Sequence, residues 1–405
     1  MTTATSSLDS ATQLIRDHTA RSHDSIVQLM RDICAIPSPE GWIKDVAERI
    51  GQEMTDLGFD EVFFDSMGNI VGRVGHGPRK ILFDSHIDTV GLGNPSSWQW
   101  DPFHGKVEDG ILYARGACDE KASTPGMIHA LSLWRRLGLA DEFTGYYFGN
   151  MEELCDGISP NSLVETDGIR PDFVVIGEPT RMQVYRGHRG RLEIRAHAHG
   201  KSCHAASPHL GVNAIHRMME FIEGLMTCWP NLPRHEFLGQ GTVVVSSIEC
   251  KTPSINAVPD RCTITLDRRV TVGETRESVM AHLRSLPGAE GIEFEEMFYD
   301  QPAWNGFVFK VDKWFPAWVL EDDHPLVRAG QEARRQLWGA EEPTGRWGFS
   351  TNGIYWMGKA GIPSIGFGPG DEVHAHTVED QVRLDDVVRA TEFYALLPLI
   401  LRGSL

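Results

Sequence analysis

The sequence predicts an α/β protein with a second, smaller α+β unit inserted into it, and three observations carry that expectation. Its 405 residues are too many for one ordinary core, so two domains are expected. Helical spacings alternate with short apolar strands between Val46 and Gly177, the pattern of a sheet covered by helices on both faces. A middle stretch then runs β-α-β-β-α-β, the order of a ferredoxin-like unit. The resulting division is 1–188 for the first part of the larger domain, 189–299 for the insert and 300–405 for the second part.

The elements follow in order. Val46, Ile50, Met54 and Leu57 recur at near-helical spacing, with Gly58 as the stop. EVFFDSMGNIVGRV reads as a hairpin turning at MGN. The strands ILFD (81–84), TGYYFGN (144–150) and FVVIG (173–177) flank a helix over 123–137 that carries Met127, Ile128, Leu131 and Trp134. In the insert, RLEIRAHAH (191–199) alternates as a half-buried strand does. AIHRMMEFIEGLM is a helix, GTVVVSSIE and RCTITLDRRV are strands, TRESVMAHLRSL is a helix and IEFEEMF is the last strand. The larger domain resumes with a helix over Pro325–Trp338, the strand IPSIGFG and a final helix near 384–402.

Composition narrows the function classes. A net charge of −18 argues against a nucleic-acid or anionic-membrane binder, since both reward a basic surface. No apolar run approaches the roughly 20 residues that span a bilayer. The polar N-terminus lacks a basic-then-apolar leader pattern, and the seven cysteines include no C-x-x-C, which together suit a reducing, cytoplasmic compartment.

Ligands of open α/β sheets bind at strand ends, and here those ends are rich in metal-binding residue types. ILFDSHID ends in His86 and Asp88; RGACDEKAS places Asp119 ahead of a helix; YYFGNMEE ends in Glu152 and Glu153; FVVIGEPT ends in Glu178; IGFGPGDEVHAH ends in His374 and His376. Imidazole with carboxylate is the donor set of zinc and similar divalent ions. Two such ions need a shared carboxylate, and adjacent acids allow one to ligate while its neighbour moves a proton. Each piece alone has a bland reading: H-x-D as an ordinary polar pair, EE as a solvated turn, either histidine as a loop residue. Their convergence at five chain ends is what favours a site.

In this order, SHIDTV, RGACDEKAS, NMEELCDG, IGEPT and HAHTVEDQV resemble the successive motifs of the M20 family of co-catalytic zinc peptidases and deacylases, and within it the YgeY-type hydrolase subgroup. The resemblance implies a mixed-sheet zinc-hydrolase catalytic domain with an inserted ferredoxin-like (βαββαβ) lid or dimerisation domain. It implies two divalent metal ions, zinc foremost, with cobalt or manganese able to take the same donors. Asp119 would bridge them, His86 and Glu178 would complete one ion, and Glu153 and His376 the other. Glu152 would be the general base, and Asp88 would orient the His86 imidazole. His376 rather than His374 fits because HTVED gives the small spacer and acidic pair that follow the family's ligand.

In the insert, GKSCHAASPHLGVNAI resembles the segment whose histidine, here His204, stabilises the developing oxyanion. PSINAVPDRCTITLDRR resembles the segment that supplies substrate-binding Asn256 and Arg269, with Arg268 as the competing arginine. In dimeric members these residues serve the partner's site, so a homodimer is expected. FSTNG (349–353) departs from the G-T-D-[AG] segment of many members, with Thr351 and Asn352 in place of the usual residues. His197 and His199 share a strand face without a carboxylate pattern joining them, and Cys118 and Cys203 lack the base that a thiol nucleophile needs.

The implied activity is hydrolysis of an amide bond in a small N-acyl amino acid or dipeptide-like substrate, in the manner of the deacetylase and carboxypeptidase branches. Two alternatives stand beside it. One is a ureido or carbamoyl C–N hydrolase on the same scaffold; the other is a non-catalytic binding homologue, disfavoured because the base and all five ligand candidates are present.

Overall fold

The computed structural model describes residues 2–153 and 155–404. Its first element is one that the polar N-terminus does not announce, a helix over Thr2–Ala35. Thr12, Ile15, Thr19, Ile26, Met30 and Ile33 are buried and step by three, four or seven residues, so they form one helical face. Two of these are threonines, which interrupt the apolar periodicity in the sequence. That face packs on the final helix, Leu384–Arg402, and on the helix Ser123–Ser132. The latter is shorter than the sequence suggests, because Leu133–Gly138 continue as turns.

Nine strands form the main sheet. At its centre Phe143–Asn150, Arg79–His86, Phe173–Ile176 and Ser364–Gly366 lie side by side and parallel. The hairpin Glu61–Phe64 and Ile70–Val74 extends one side in antiparallel sense. On the other side, Tyr185–His188 and Trp318–Val319 also run antiparallel, so the sheet is mixed. Parallel strands need both faces covered. Accordingly Phe143–Asn150 is buried throughout, as are the last six residues of Arg79–His86. The four central strands all end at one edge.

The insert folds around its own core. Its sheet runs in the order Thr242–Lys251, Arg261–Val270, Gly190–His199, Ile292–Glu296. Leu192, Ile194, Ala196, Ile264 and Leu266 turn inward against the helices Ala214–Cys228 and Arg276–Ser285, forming a cluster separate from the main core. Trp314–Phe315 adds a fifth strand beside Gly190–His199, so this sheet draws on chain beyond residue 299. Among the described residues, no helix is long and apolar enough to cross a membrane.

One buried group gives the fold an acid sensitivity. His129 on the helix Ser123–Ser132 is buried, and neither ring nitrogen has a hydrogen-bond partner among the described residues. Glu53 lies 3.7 Å away, yet burial dominates and lowers the His129 pKa from 6.5 to about 4. The unfolded chain therefore takes up a proton first, and stability falls as pH drops from 6.5 towards about 4. Replacing His129 with leucine should flatten the dependence of chemical-denaturation midpoint on pH across that window. An unchanged slope would rule out His129 as its source.

Candidate metal centre

The four central parallel strands deliver the site in spatial order. Phe143–Asn150 leads into Glu152 and Glu153, Arg79–His86 ends in His86 itself, Phe173–Ile176 leads into Glu178, and the chain beyond Ser364–Gly366 turns back to His376. Gly368 makes the last approach possible. A Cβ there would lie 2.0 Å from the carbonyl oxygen of Gly177 and 2.5 Å from that of Glu178.

Asp119 stands between the two imidazoles. Its Oδ1 is 2.9 Å from His86 Nε2 and its Oδ2 is 3.1 Å from His376 Nε2. Glu178 Oε1 lies 3.7 Å from His86 Nε2, and Glu153 Oε1 lies 3.2 Å from His376 Nε2. His374, two residues earlier, faces Gln381 instead. The Nδ1 of His86 is 3.0 Å from the backbone oxygen of Asp88 and 3.4 Å from its carboxylate. The same Asp88 carboxylate accepts the backbone N–H of Glu152 at 3.0 Å, so one buried acid restrains both neighbours.

Glu120 is the residue that sequence reasoning missed. Its Oε1 accepts the His86 backbone N–H at 2.8 Å. Ligand atoms of His86, Glu120 and Glu178 lie within 4.8 Å of one another, as do those of His86, Asp119 and Glu153. The only signal in the sequence is its place after Asp119, which adjacent acids elsewhere in the chain share.

The donor set fits divalent cations. Burial pushes the carboxyls of Glu152, Glu178 and Glu120 well above the ordinary range, opposed in each by the nearby His86. Burial also disfavours charge on His86, but Asp119 and Asp88 outweigh it and raise that imidazole. Asp119 and Glu153 hold His376 up at about 10. Glu152 Oε1 and Glu178 Oε2 are buried without a hydrogen-bond partner among the described residues. Packed anionic groups without enough donors are what a bound cation satisfies.

A cavity of about 650 Å³ opens over this cluster, lined on the far side by Arg191, Arg269, Lys313, Phe315 and Phe349. Arg269 faces it, but its guanidinium is engaged by Asp267 of the same strand at 2.8 and 3.0 Å. Arg268 points the other way and is buried against Glu274. His204 and Asn256 are exposed on the insert and do not line the cavity. They are neighbours, with Ala205 N–H donating to the Asn256 backbone oxygen at 2.8 Å.

The remaining candidates take structural places. Thr351 and Asn352 are buried beneath the strand ends. The Asn352 amide donates to Asn150 at 2.9 Å and to Asp84 at 3.3 Å, and its oxygen accepts from the Gly157 N–H at 2.8 Å. An acid there would meet Asp84, already a buried carboxylate, without those donors. His197 and His199 do have carboxylate partners, Glu295 and Glu293 of the adjacent strand, each at 2.8 Å. Burial raises the Cys118 thiol, and its Sγ bonds to the Asp371 carbonyl.

A mixed sheet carrying paired imidazoles and carboxylates at the ends of its central strands, with a separate lid over them, defines a dinuclear metallohydrolase scaffold. The sequence profile of peptidase family M20/M25/M40 matches residues 82–399, and the chain belongs to that family. It is 42% identical over 377 residues to the uncharacterised protein YgeY of Escherichia coli K12, covering 92% of this chain and 94% of that one. Identity to the succinyl-diaminopimelate desuccinylase of Bordetella petrii is 27% over 292 residues, covering 67% and 74%. The fold matches an M20 metallo-carboxypeptidase of Sulfolobus solfataricus at a TM-score of 0.73 and 17% identity, covering 93% and 99% of the two chains. It matches the dinuclear metal-binding peptidase YXEP of Bacillus subtilis at 0.71 and 15%, covering 95% and 100%.

Asp119→Ala should lower bound zinc at both positions when the purified protein is analysed by elemental mass spectrometry, whereas Glu178→Ala should lower chiefly one. Wild-type metal content in Asp119→Ala would remove Asp119 from the bridging position.

Proposed function

We propose that the protein hydrolyses the amide bond of a small N-acyl amino acid or dipeptide-like substrate, with Glu152 as general base. The observation that carries this is Glu152 itself. It is buried beside the proposed ligand Glu153 and lines the cavity, its backbone is tied to Asp88, and its Oε1 is left without a partner among the described residues. Such a carboxylate is held in place yet free to take a proton.

In this reading His86, Asp119 and Glu178 hold one divalent ion, and Asp119, Glu153 and His376 the other, with zinc the first choice. Bound there, the ions would polarise the scissile carbonyl and acidify the attacking water. Glu152 takes the proton from that water and returns it to the leaving nitrogen. Asp88 fixes the His86 ring by accepting from Nδ1, leaving Nε2 for the metal. Arg269 meets a substrate carboxylate once Asp267 releases it.

His204 and Asn256 complete the site of a second copy, His204 donating to the developing oxyanion. Their joint exposure away from this chain's own cavity supports a homodimer. The relative named as a desuccinylase supports the deacylase branch over the aminopeptidase branch. Seven unpaired cysteines support a reducing, cytoplasmic setting.

Two measurements test this. Zinc-loaded Glu152→Ala should retain wild-type metal content and lose turnover by at least about 100-fold, the low end of a general base's contribution. Substantial residual activity would exclude Glu152 as the base. A panel of N-acetyl, N-succinyl, N-carbamoyl and dipeptide substrates, read by mass spectrometry, should give amide cleavage. Ammonia release from the N-carbamoyl members alone would favour the ureido alternative, and no turnover of any member would favour a binding homologue.

A further inference from the structure

We propose that Asp380, with Arg115, is a positioning residue of the metal centre, setting the Asp119 carboxylate against the His376 imidazole. This rests on the reading of Asp119 and His376 as ligands.

The two come from chain segments far apart in sequence, and they are not equally well held. The Asp119 side chain is 8% exposed, whereas that of His376 is 56% exposed. His376 also sits in the left-handed region at φ 60°, which a non-glycine residue adopts only when its surroundings impose it. Packing does not immobilise this imidazole, so the restraint has to act through the chain on either side of it.

Asp380 supplies that restraint. Its side chain is buried, and each oxygen takes a separate backbone donor from the loop before Asp119: Gly116 N–H to Oδ2 and Cys118 N–H to Oδ1, both at 2.7 Å. Two donors on alternate residues, captured by one carboxylate, fix the peptide planes leading into Asp119. Gly116 makes the loop possible at φ 81°, where a Cβ would also lie 2.8 Å from Thr89. The backbone closes the same ring, with Ala114 N–H donating to the Asp380 oxygen at 3.1 Å.

Arg115 carries the restraint across to the histidine. One guanidinium nitrogen, Nη1, reaches Asp380 at 3.2 Å and the carbonyl oxygen of Thr377 at 3.1 Å. Thr377 directly follows His376. A single ion pair therefore ties the peptide after one proposed ligand to the loop before the other. A purely apolar contact could bury the same surface but would leave both loops free to rotate. Neither Asp380 nor Arg115 lines the cavity over the site, so neither is placed to touch substrate.

The test is cobalt(II) titration of the metal-free full-length protein, followed by visible absorption, with His376→Ala as the spectral reference for loss of the ion at that histidine. Wild type should take up two equivalents. Asp380→Asn keeps the shape but presents an amide to backbone donors. It should weaken the ion at His376 by about 10–100-fold and alter its absorption band, as loss of an outer-shell partner does. The other ion, which shares Asp119, should weaken by a clearly smaller factor, whatever loss of the buried ion pair does to the melting temperature of the metal-free protein.

Arg115→Lys keeps the charge but loses the planar guanidinium whose Nη1 spans Asp380 and Thr377, and should shift the same ion in the same direction by a smaller factor. It provides the reading if Asp380→Asn does not fold. Unchanged cobalt affinities and spectrum overturn the proposal. So does equal weakening of both ions, which is the mark of a merely structural role. Wild-type protein that binds no cobalt would instead overturn the ligand assignment on which the proposal stands.

Discussion

Everything about this protein's site follows from one electrostatic constraint. Asp88, Asp119, Glu120, Glu152 and Glu178 are all buried within reach of a single buried imidazole, His86. Carboxylates withdrawn from water at this density repel one another and lack enough hydrogen-bond donors to compensate. A cation held among them, or protonation of the acids, relieves that repulsion. The main core, with its long N-terminal helix and aromatic-rich sheet, supplies the stability that lets such a pocket persist in the folded chain.

The sheet meets this constraint by topology. Four adjacent parallel strands end at one edge, so residues from segments as far apart as positions 86 and 376 arrive side by side. The backbone groups at that edge serve as restraints: the His86 N–H on Glu120, the Glu152 N–H on Asp88, the Gly116 and Cys118 N–H on Asp380. Glu120, Asp88 and Asp380 thus each hold a strand end or loop as well as shaping the field. The insert stays independent, with its own core, and brings Arg269 to the rim while carrying His204 and Asn256 elsewhere.

The fold agrees with an M20 metallo-carboxypeptidase over nearly the whole chain at 17% identity. Such a likeness speaks for architecture and leaves chemistry to the site. Asn352, buried beside Asp84, stands where the G-T-D-[AG] segment that the sequence resembles would put an acid, and its amide donates to that carboxylate and to Asn150. One fewer buried negative charge beneath the strand ends is compatible with the many already gathered above them.

The order of elements, the inserted unit and the strand-end acids were legible in the sequence, because period-two and period-3.6 patterns are set by residues close in the chain. The sequence left Arg268 and Arg269 as competitors; successive residues of a strand face opposite sides, and only the packed sheet shows that Arg269 faces the cavity while Arg268 meets Glu274. The N-terminal helix was hidden because threonines occupy part of its buried face. Glu120, the Arg115–Asp380 pair and the glutamates facing His197 and His199 were equally out of reach. Each depends on distances between segments that only the packed chain brings together, and a hydrogen bond is decided by a few tenths of an ångström. The sequence by itself determined which chemical groups the protein owns and on which elements they ride; tertiary structure decided which of them meet, because burial and charge act through space.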